Sequence, residues 1–208
     1  MPKNEYVSGG VTTAAPWKLD FAAVCSALEQ GGVAVLDSIT TVENAAALLA
    51  YCQSQAAWRA AGIGAGHSTN LAIRGDRTHW LSSENSAIEA DVLAMLDRLR
   101  CALNQTLWLN LASVEAHFAH YAPGTGYARH KDVFQHDAQR VISFVLYLNP
   151  TWQPADGGRL ALYLPEGVQF VPPTSQSAVL FVSSDIEHAV ERTHRDRYSI
   201  AAWFRRAE

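Results

Sequence analysis

Two periodicities predict the fold class. From residue 114 onward apolar residues alternate with polar ones, the two-residue repeat of half-buried strands, and Gly, Pro and Asp clusters break the runs. Upstream, apolar residues recur every three to four positions, as on helices that bury one face. The strand segments are 114–121, 126–132, 139–148, 159–164, 167–171, 178–182, 187–191 and 197–205. Eight short strands in this order match a double-stranded β-helix of the jelly-roll or cupin-like kind. With N-terminal helices packed on it, the chain reads as mainly β, of the α+β class.

Along the chain, residues 1–16 are rich in Gly, Thr, Ala and Pro and read as a flexible arm. Residues 17–110 read as a helical support region and 111–208 as the barrel. Residues 20–30 suit a short helix stopped by Gly31-Gly32, with a small strand at Val33–Leu36. Thr40 and Glu43 make a capping box before an Ala/Leu-rich helix that includes Leu48, Leu49 and Tyr51. Gly62, Gly64 and Gly66 give residues 62–76 the backbone freedom of a mobile lid, and Ser68, Thr69 and Asn70 favour solvent. An inert linker between helices and barrel is the other reading of that stretch. Ser86 and Glu89 repeat the capping device. The helix that follows carries Ile88, Val92, Met95, Leu96, Leu99 and Leu103 on one stripe, which is core.

A chain of 208 residues suits one domain. With 49% hydrophobic and 17% charged residues it is composed like an ordinary globular core. The net charge of −4 gives no basic footprint for nucleic acid. Cys25, Cys52 and Cys101 are odd in number and widely spaced, so they read as reduced thiols. No leader pattern and no apolar run of membrane-spanning length is visible. The expectation is a soluble cytoplasmic protein with no membrane partner; the oligomeric state stays open.

The chemistry concentrates in three places: His130-Lys131-Asp132, His188, and Arg197 nine residues beyond it. On a strand, positions i and i+2 point to one side, so His130 and Asp132 can reach one metal together. A second, distant His completes a two-His, one-carboxylate facial triad, which holds Fe(II) by one face and leaves the other open. Arg197 then supplies a planar, permanent cation beside the metal, suited to a carboxylate. A 2-oxo-dicarboxylate fits both: one end chelates iron, the other meets the Arg. Taken singly, each residue also suits a bland role. Eight His and 20 acidic residues make a His-x-Asp pair common, His188 suits a hydrogen-bonded core position, and Arg197 a surface ion pair. Arg129 points away from the metal by strand alternation, where it meets substrate only at the barrel rim.

Further motifs carry a resemblance. These are Ile73-Arg74-Gly75-Asp76 with Trp80; Tyr121, Pro123-Gly124-Thr125-Gly126-Tyr127 and Arg129-His130-Lys131-Asp132; Tyr147-Leu148-Asn149; Gly157-Gly158; Pro165-Glu166-Gly167; and the His188, Arg197-Tyr198 and Trp203 segments. In this order the chain resembles Fe(II)- and 2-oxoglutarate-dependent oxygenases of the prolyl 4-hydroxylase superfamily, above all the hypoxia-inducible-factor type and its bacterial relatives. The resemblance covers residues 70–205.

It implies that His130, Asp132 and His188 ligate iron, that Arg197 binds the distal carboxylate of 2-oxoglutarate, and that Tyr147 hydrogen-bonds the same group. Tyr121 lies near iron and substrate in such an arrangement, and Val145, Leu160, Val190 and Trp203 line the co-substrate cavity. Arg74 and Asp76 pair to set the lid, with Trp80 following it. The implied activity is hydroxylation with O2 of a prolyl residue, carried by a protein substrate with an exposed proline, with release of succinate and CO2 and with L-ascorbate in support. Departures touch the substrate side. His117 stands where that family has an apolar residue, Ala201 where it has a hydroxyl, and the sequence given stops at Glu208, where the animal enzymes continue into a helix. A hydroxylase of a free amino acid or small metabolite shares the scaffold, and a non-catalytic oxygen- or 2-oxoglutarate-sensing module is a third reading.

Overall fold

The computed structural model describes residues 16–62, 73–133 and 139–207. Residues 1–15 of the expected arm and most of the expected lid therefore lie outside the described residues.

Helix α1 (Phe21–Gly31) starts where the Asp20 carboxylate accepts from the Ala23 N–H, and ends at Gly32, whose φ of 69° suits a residue without Cβ. Strand β1 (Val33–Leu36) and helix α2 (Val42–Ser54) follow. The α2 cap is Thr41, one residue later than the Thr40–Glu43 box predicts; its hydroxyl accepts from Asn44 N–H. Thr40 is instead buried, donating to the Pro16 carbonyl at 2.8 Å. After the short β2 (Arg59–Ala60) and β3 (Asp76–Trp80), helix α3 (Ala87–Leu107) is capped by Ser86, but the reciprocal half of that box is absent. Glu89 turns inward and accepts from Ser82 N–H, Asn85 and Tyr51, with His79 at 3.1 Å. Burial opposes its ionisation, yet these donors hold its carboxyl below the usual range.

Eight strands then complete the barrel: β4 (Leu111–Tyr121), β5 (Tyr127–His130), β6 (Arg140–Tyr147), β7 (Leu160–Leu164), β8 (Gly167–Val171), β9 (Ala178–Val182), β10 (Glu187–Val190) and β11 (Arg197–Arg206). They sit within a residue or two of the sequence-based segments, save that β4 starts at Leu111 and β5 stops at His130. The sheets run β1-β9-β6-β11-β4-β3-β2 and β5-β10-β7-β8, with every named strand pair antiparallel. Strands β4, β6, β9 and β11 face β5, β7, β8 and β10 as in a double-stranded β-helix. β1, β2 and β3 extend the larger sheet, and sequence periodicity had marked only the first of them.

The larger sheet is covered on both faces. Along β11, Ile200, Ala202 and Phe204 pack outward with Phe118 and Phe144 onto Val24, Leu48, Met95 and Leu99 of the helices. The alternate residues Arg197, Ser199, Ala201 and Trp203 line the interior cavity instead. The helical layer thus braces the strand that carries Arg197. Among the described residues no helix is long and apolar enough to cross a membrane.

Candidate active site

Pairing of β5 with β10 sets His130 directly opposite His188. His130 Nδ1 lies 2.8 Å from the Ala128 carbonyl oxygen and His188 Nδ1 lies 3.3 Å from that of Ile186. A carbonyl only accepts, so in each ring the proton sits on Nδ1 and Nε2 is left with a lone pair. Both Nε2 atoms face Asp132, each 3.6 Å from one of its oxygens. The three ligand atoms lie within 4.8 Å of one another.

Asp132 does not belong to the strand, contrary to the i, i+2 expectation. Strand pairing ends at His130, and the chain then bends, aiming the carboxylate across at β6. There the Ser143 hydroxyl donates to Oδ2 at 2.6 Å, and Ser143 in turn contacts Ser183 Oγ at 2.8 Å. Burial works against the charge of Asp132, but His188, His130 and Ser143 outweigh it and hold the carboxyl far below the usual range. Burial also pushes His188 down to about 4, against the pull of Asp132, so the imidazole is neutral at pH 7. Two neutral imidazoles and one ionised carboxylate form a donor set that fits Fe(II).

The metal group opens into a cavity between the two sheets. Tyr121, Val145, Leu160, Val190 and Trp203 line it. Arg197 is 1% exposed, yet no carboxylate among the described residues lies within ion-pair distance. Its Nε donates to the Gly158 carbonyl at 2.8 Å and Nη1 to Ser199 at 3.3 Å, leaving donors of the fork over for the cavity. Tyr147 and Tyr121 rings flank the guanidinium at 5.3 and 5.1 Å. The Tyr147 hydroxyl is buried without a partner among the described residues; burial, tempered by Arg197, pushes its pKa up to about 12. A buried cation without an anion, beside an unmet hydroxyl, is what an absent carboxylate leaves behind. The residues present fit 2-oxoglutarate as well as iron.

The substrate-side residues divide. Arg74 and Asp76 pair at 2.8 and 3.1 Å, and both line the cavity. Asp76 is the first residue of β3, however, and residues 73–75 are tied to the β5 region through Ala128 N–H to the Ile73 carbonyl and Gly75 N–H to the Gly126 carbonyl. This end of the expected lid is part of a sheet, because its backbone groups find ladder partners. Trp80 is half exposed and stacks edge-on against His117, outside the cavity lining. Arg129 is turned outward, paired with Glu187 and lying over the Tyr163 ring at 3.9 Å. Sequence reasoning did not assign Ser143, Ser183 or Arg140 to the site. Arg140 lies 3.8 Å over the Trp203 ring and is held by Glu115. The inward alternation of β6 was the signal for Ser143.

A family model described as the 2OG-Fe(II) oxygenase superfamily matches residues 116–205. A prolyl-4-hydroxylase of Pseudomonas putida superposes with a TM-score of 0.84 at 36% identity, over 90% of this chain and 100% of that one. A prolyl hydroxylase of Trichoplax adhaerens, solved with a peptide fragment of the hypoxia-inducible-factor oxygen degradation domain, gives 0.83 at 24% identity, over 89% and 88%. A prolyl 4-hydroxylase of Phytophthora capsici gives 0.72 at 21%, over 96% of this chain and 69% of the other. With its fold, its His-Asp-His group and a full-length likeness to a bacterial prolyl-4-hydroxylase, the chain belongs to the 2OG-Fe(II) oxygenase superfamily and is a prolyl hydroxylase-like, 2-oxoglutarate-dependent dioxygenase.

Proposed function

We propose that the protein hydroxylates a prolyl residue within a polypeptide, using His130, Asp132 and His188 to hold Fe(II) and Arg197 to hold 2-oxoglutarate. The observation that carries the site assignment is the buried, anion-free Arg197 on the same cavity as the His-Asp-His group. The polypeptide substrate is supported by the likeness to the P. putida enzyme and by the peptide held in the Trichoplax structure. When bound, the iron centre supplies oxidation of a C–H bond to an alcohol, coupled to decarboxylation of 2-oxoglutarate to succinate and CO2, with one atom of O2 entering each organic product.

The chain's own residues do the placing. The Ala128 and Ile186 carbonyls fix the tautomers of His130 and His188, so both present lone pairs without a proton having to leave. Ser143 holds one oxygen of Asp132. Arg197 would receive the far carboxylate in a charge-assisted contact, and Tyr147 would donate its hydroxyl proton to the same group. Val145, Leu160 and Val190 cover the co-substrate's methylenes and exclude water between the two ends.

The test incubates the protein with Fe(II), ascorbate, 2-oxoglutarate and cell extract, and searches digested peptides for added oxygen. A prolyl peptide gaining one oxygen in wild type and not in His188→Ala is the expected result. Robust hydroxylation of free proline with no oxidised prolyl peptide overturns the polypeptide reading. A wild-type protein that binds 2-oxoglutarate but forms no succinate speaks for the sensing module.

A further inference from the structure

Strand β4 carries a histidine inside the barrel that neither the metal group nor the Arg197 cradle uses. His117 is 2% exposed and stands in one cross-strand row with Trp80 of β3 and Ala201 of β11. Its Nδ1 lies 3.1 Å from the Phe118 carbonyl oxygen. The carbonyl can only accept, so Nδ1 carries the ring proton and Nε2 holds a lone pair. No donor among the described residues meets that lone pair, although the ring lines the cavity. The residue facing it on β11 is Ala201, whose methyl offers no donor either.

Next to this acceptor stands its complement. The Trp203 ring lies 5.2 Å from the His117 ring, and its indole N–H is buried with no acceptor among the described residues. Trp203 is 7% exposed and pairs in register with Ser143, the residue that donates to Asp132, and it lines the same cavity as the metal group. Ala201 is four residues from Arg197 along β11, about 13 Å at strand spacing, which sets the His117 row apart from the cation. Buried polar groups find partners in folded proteins, and here an unmet buried donor at Trp203 stands beside a free acceptor at His117 on one cavity, which suits a ligand that offers both a donor and an acceptor.

We infer that His117 and Trp203 form an acceptor–donor pair that holds main-chain groups of the substrate near the metal, an N–H at His117 and a C=O at Trp203. Each non-proline residue of an extended peptide presents one neutral N–H and one neutral C=O to the same side. A free amino acid instead presents a charged ammonium and a charged carboxylate, whose desolvation these two neutral partners do not offset. The inference rests on the polypeptide reading above and narrows it: recognition near the oxidised residue goes through backbone, and His117 is a specificity-determining residue for it.

The test uses the protein loaded with Zn(II) and 2-oxoglutarate, which does not turn over. Three probes are titrated: N-acetyl-L-proline N-methylamide, which has one amide N–H, its N,N-dimethylamide, which has none, and free L-proline. Wild type should prefer the methylamide by about tenfold, the size of one hydrogen bond. His117→Met should abolish that preference and leave 2-oxoglutarate affinity unchanged, and His117→Gln, whose side-chain carbonyl accepts, should restore part of it. Nitrogen-15 spectra of histidine-labelled wild type should show the Nδ1–H tautomer at pH 7, with the Nε2 resonance moving on addition of the methylamide and not of the dimethylamide. An Nε2–H tautomer, equal or no binding of the two amides by wild type, or a preference that survives in His117→Met overturns the inference. Binding of free L-proline to the exclusion of both amides also removes the polypeptide reading on which it rests.

Discussion

Exchange Arg197 for Met, and stability and ligand affinity should part company. The guanidinium is 1% exposed with no carboxylate partner among the described residues, so the ligand-free fold carries an uncompensated buried charge whose desolvation costs several kcal/mol. Its hydrogen bonds to Gly158 and Ser199 offset part of this, at about 1.5–3 kcal/mol for each bond from a charged donor. Met fills a similar volume without the charge and leaves the Gly158 carbonyl unmet, a loss of about 1–3 kcal/mol. The terms nearly cancel, and the ligand-free variant should be within about 1 kcal/mol of wild type. Binding has no such cancellation. Loss of a bidentate contact worth about 1.5–3 kcal/mol raises the 2-oxoglutarate Kd at least tenfold, since 1.4 kcal/mol is a factor of ten. Arg197→Lys keeps the charge and loses the fork, and should also bind at least tenfold more weakly. Urea unfolding with Zn(II), with and without 2-oxoglutarate, reads both quantities, because ligand stabilises by RT ln(1 + [L]/Kd). A Met variant that loses more than about 3 kcal/mol without ligand while keeping wild-type 2-oxoglutarate stabilisation would make Arg197 a structural residue and refute the reasoning.

Three further outcomes follow from the same geometry. Ser143→Ala removes the 2.6 Å donor to Asp132 and should weaken Co(II) or Fe(II) binding about 10–100-fold, with Ser143→Thr close to wild type; unchanged metal affinity in the Ala variant would show that Asp132 needs no such partner. Gly158→Ala places a Cβ 3.2 Å from Arg197 Cδ at a φ of +65°, so the 2-oxoglutarate Kd should rise, with a stability loss of about 1 kcal/mol that isothermal titration and urea melts measure together. His117 is held neutral by burial, its pKa pushed down from 6.5 to about 4, so the unfolded chain takes up the proton first. Its contribution is therefore intact above pH 6.5 and falls away between 6.5 and 4, by roughly 3 kcal/mol in all, and His117→Met should flatten that limb of the stability–pH curve while His188 keeps its own share.

The barrel strands could be read from the chain because their periodicity reflects burial: β11 alternates a face on the helices with a face on the cavity, and both faces constrain residue type. Strands β2 and β3 were not legible, since β2 has only two residues and Asp76 and Thr78 are polar groups buried on a sheet face. The grouping of His130, Asp132, His188 and Arg197 was visible in spacing. The cause of Asp132's placement was not, because a bend and a hydroxyl on another strand set it, and these are contacts between residues far apart in sequence. Thr40 against Thr41 shows the same limit at a helix start: both can cap, and the Pro16 carbonyl decides which hydroxyl is free to do so. Arg129 was placed on the outward face by alternation, but its commitment to Glu187 and Tyr163 depended on β10 and β7 lying alongside.

Metal-dependent decarboxylation of 2-oxoglutarate tests the central claim most directly. Wild-type protein with Fe(II), O2 and 2-oxoglutarate should form succinate and CO2 in equal amounts. Asp132→Ala, with the barrel still folded by circular dichroism and no more than weak Fe(II) binding, should form neither. Near-normal succinate production by the folded Asp132→Ala protein would mean that the His130, Asp132 and His188 group is not the metal site.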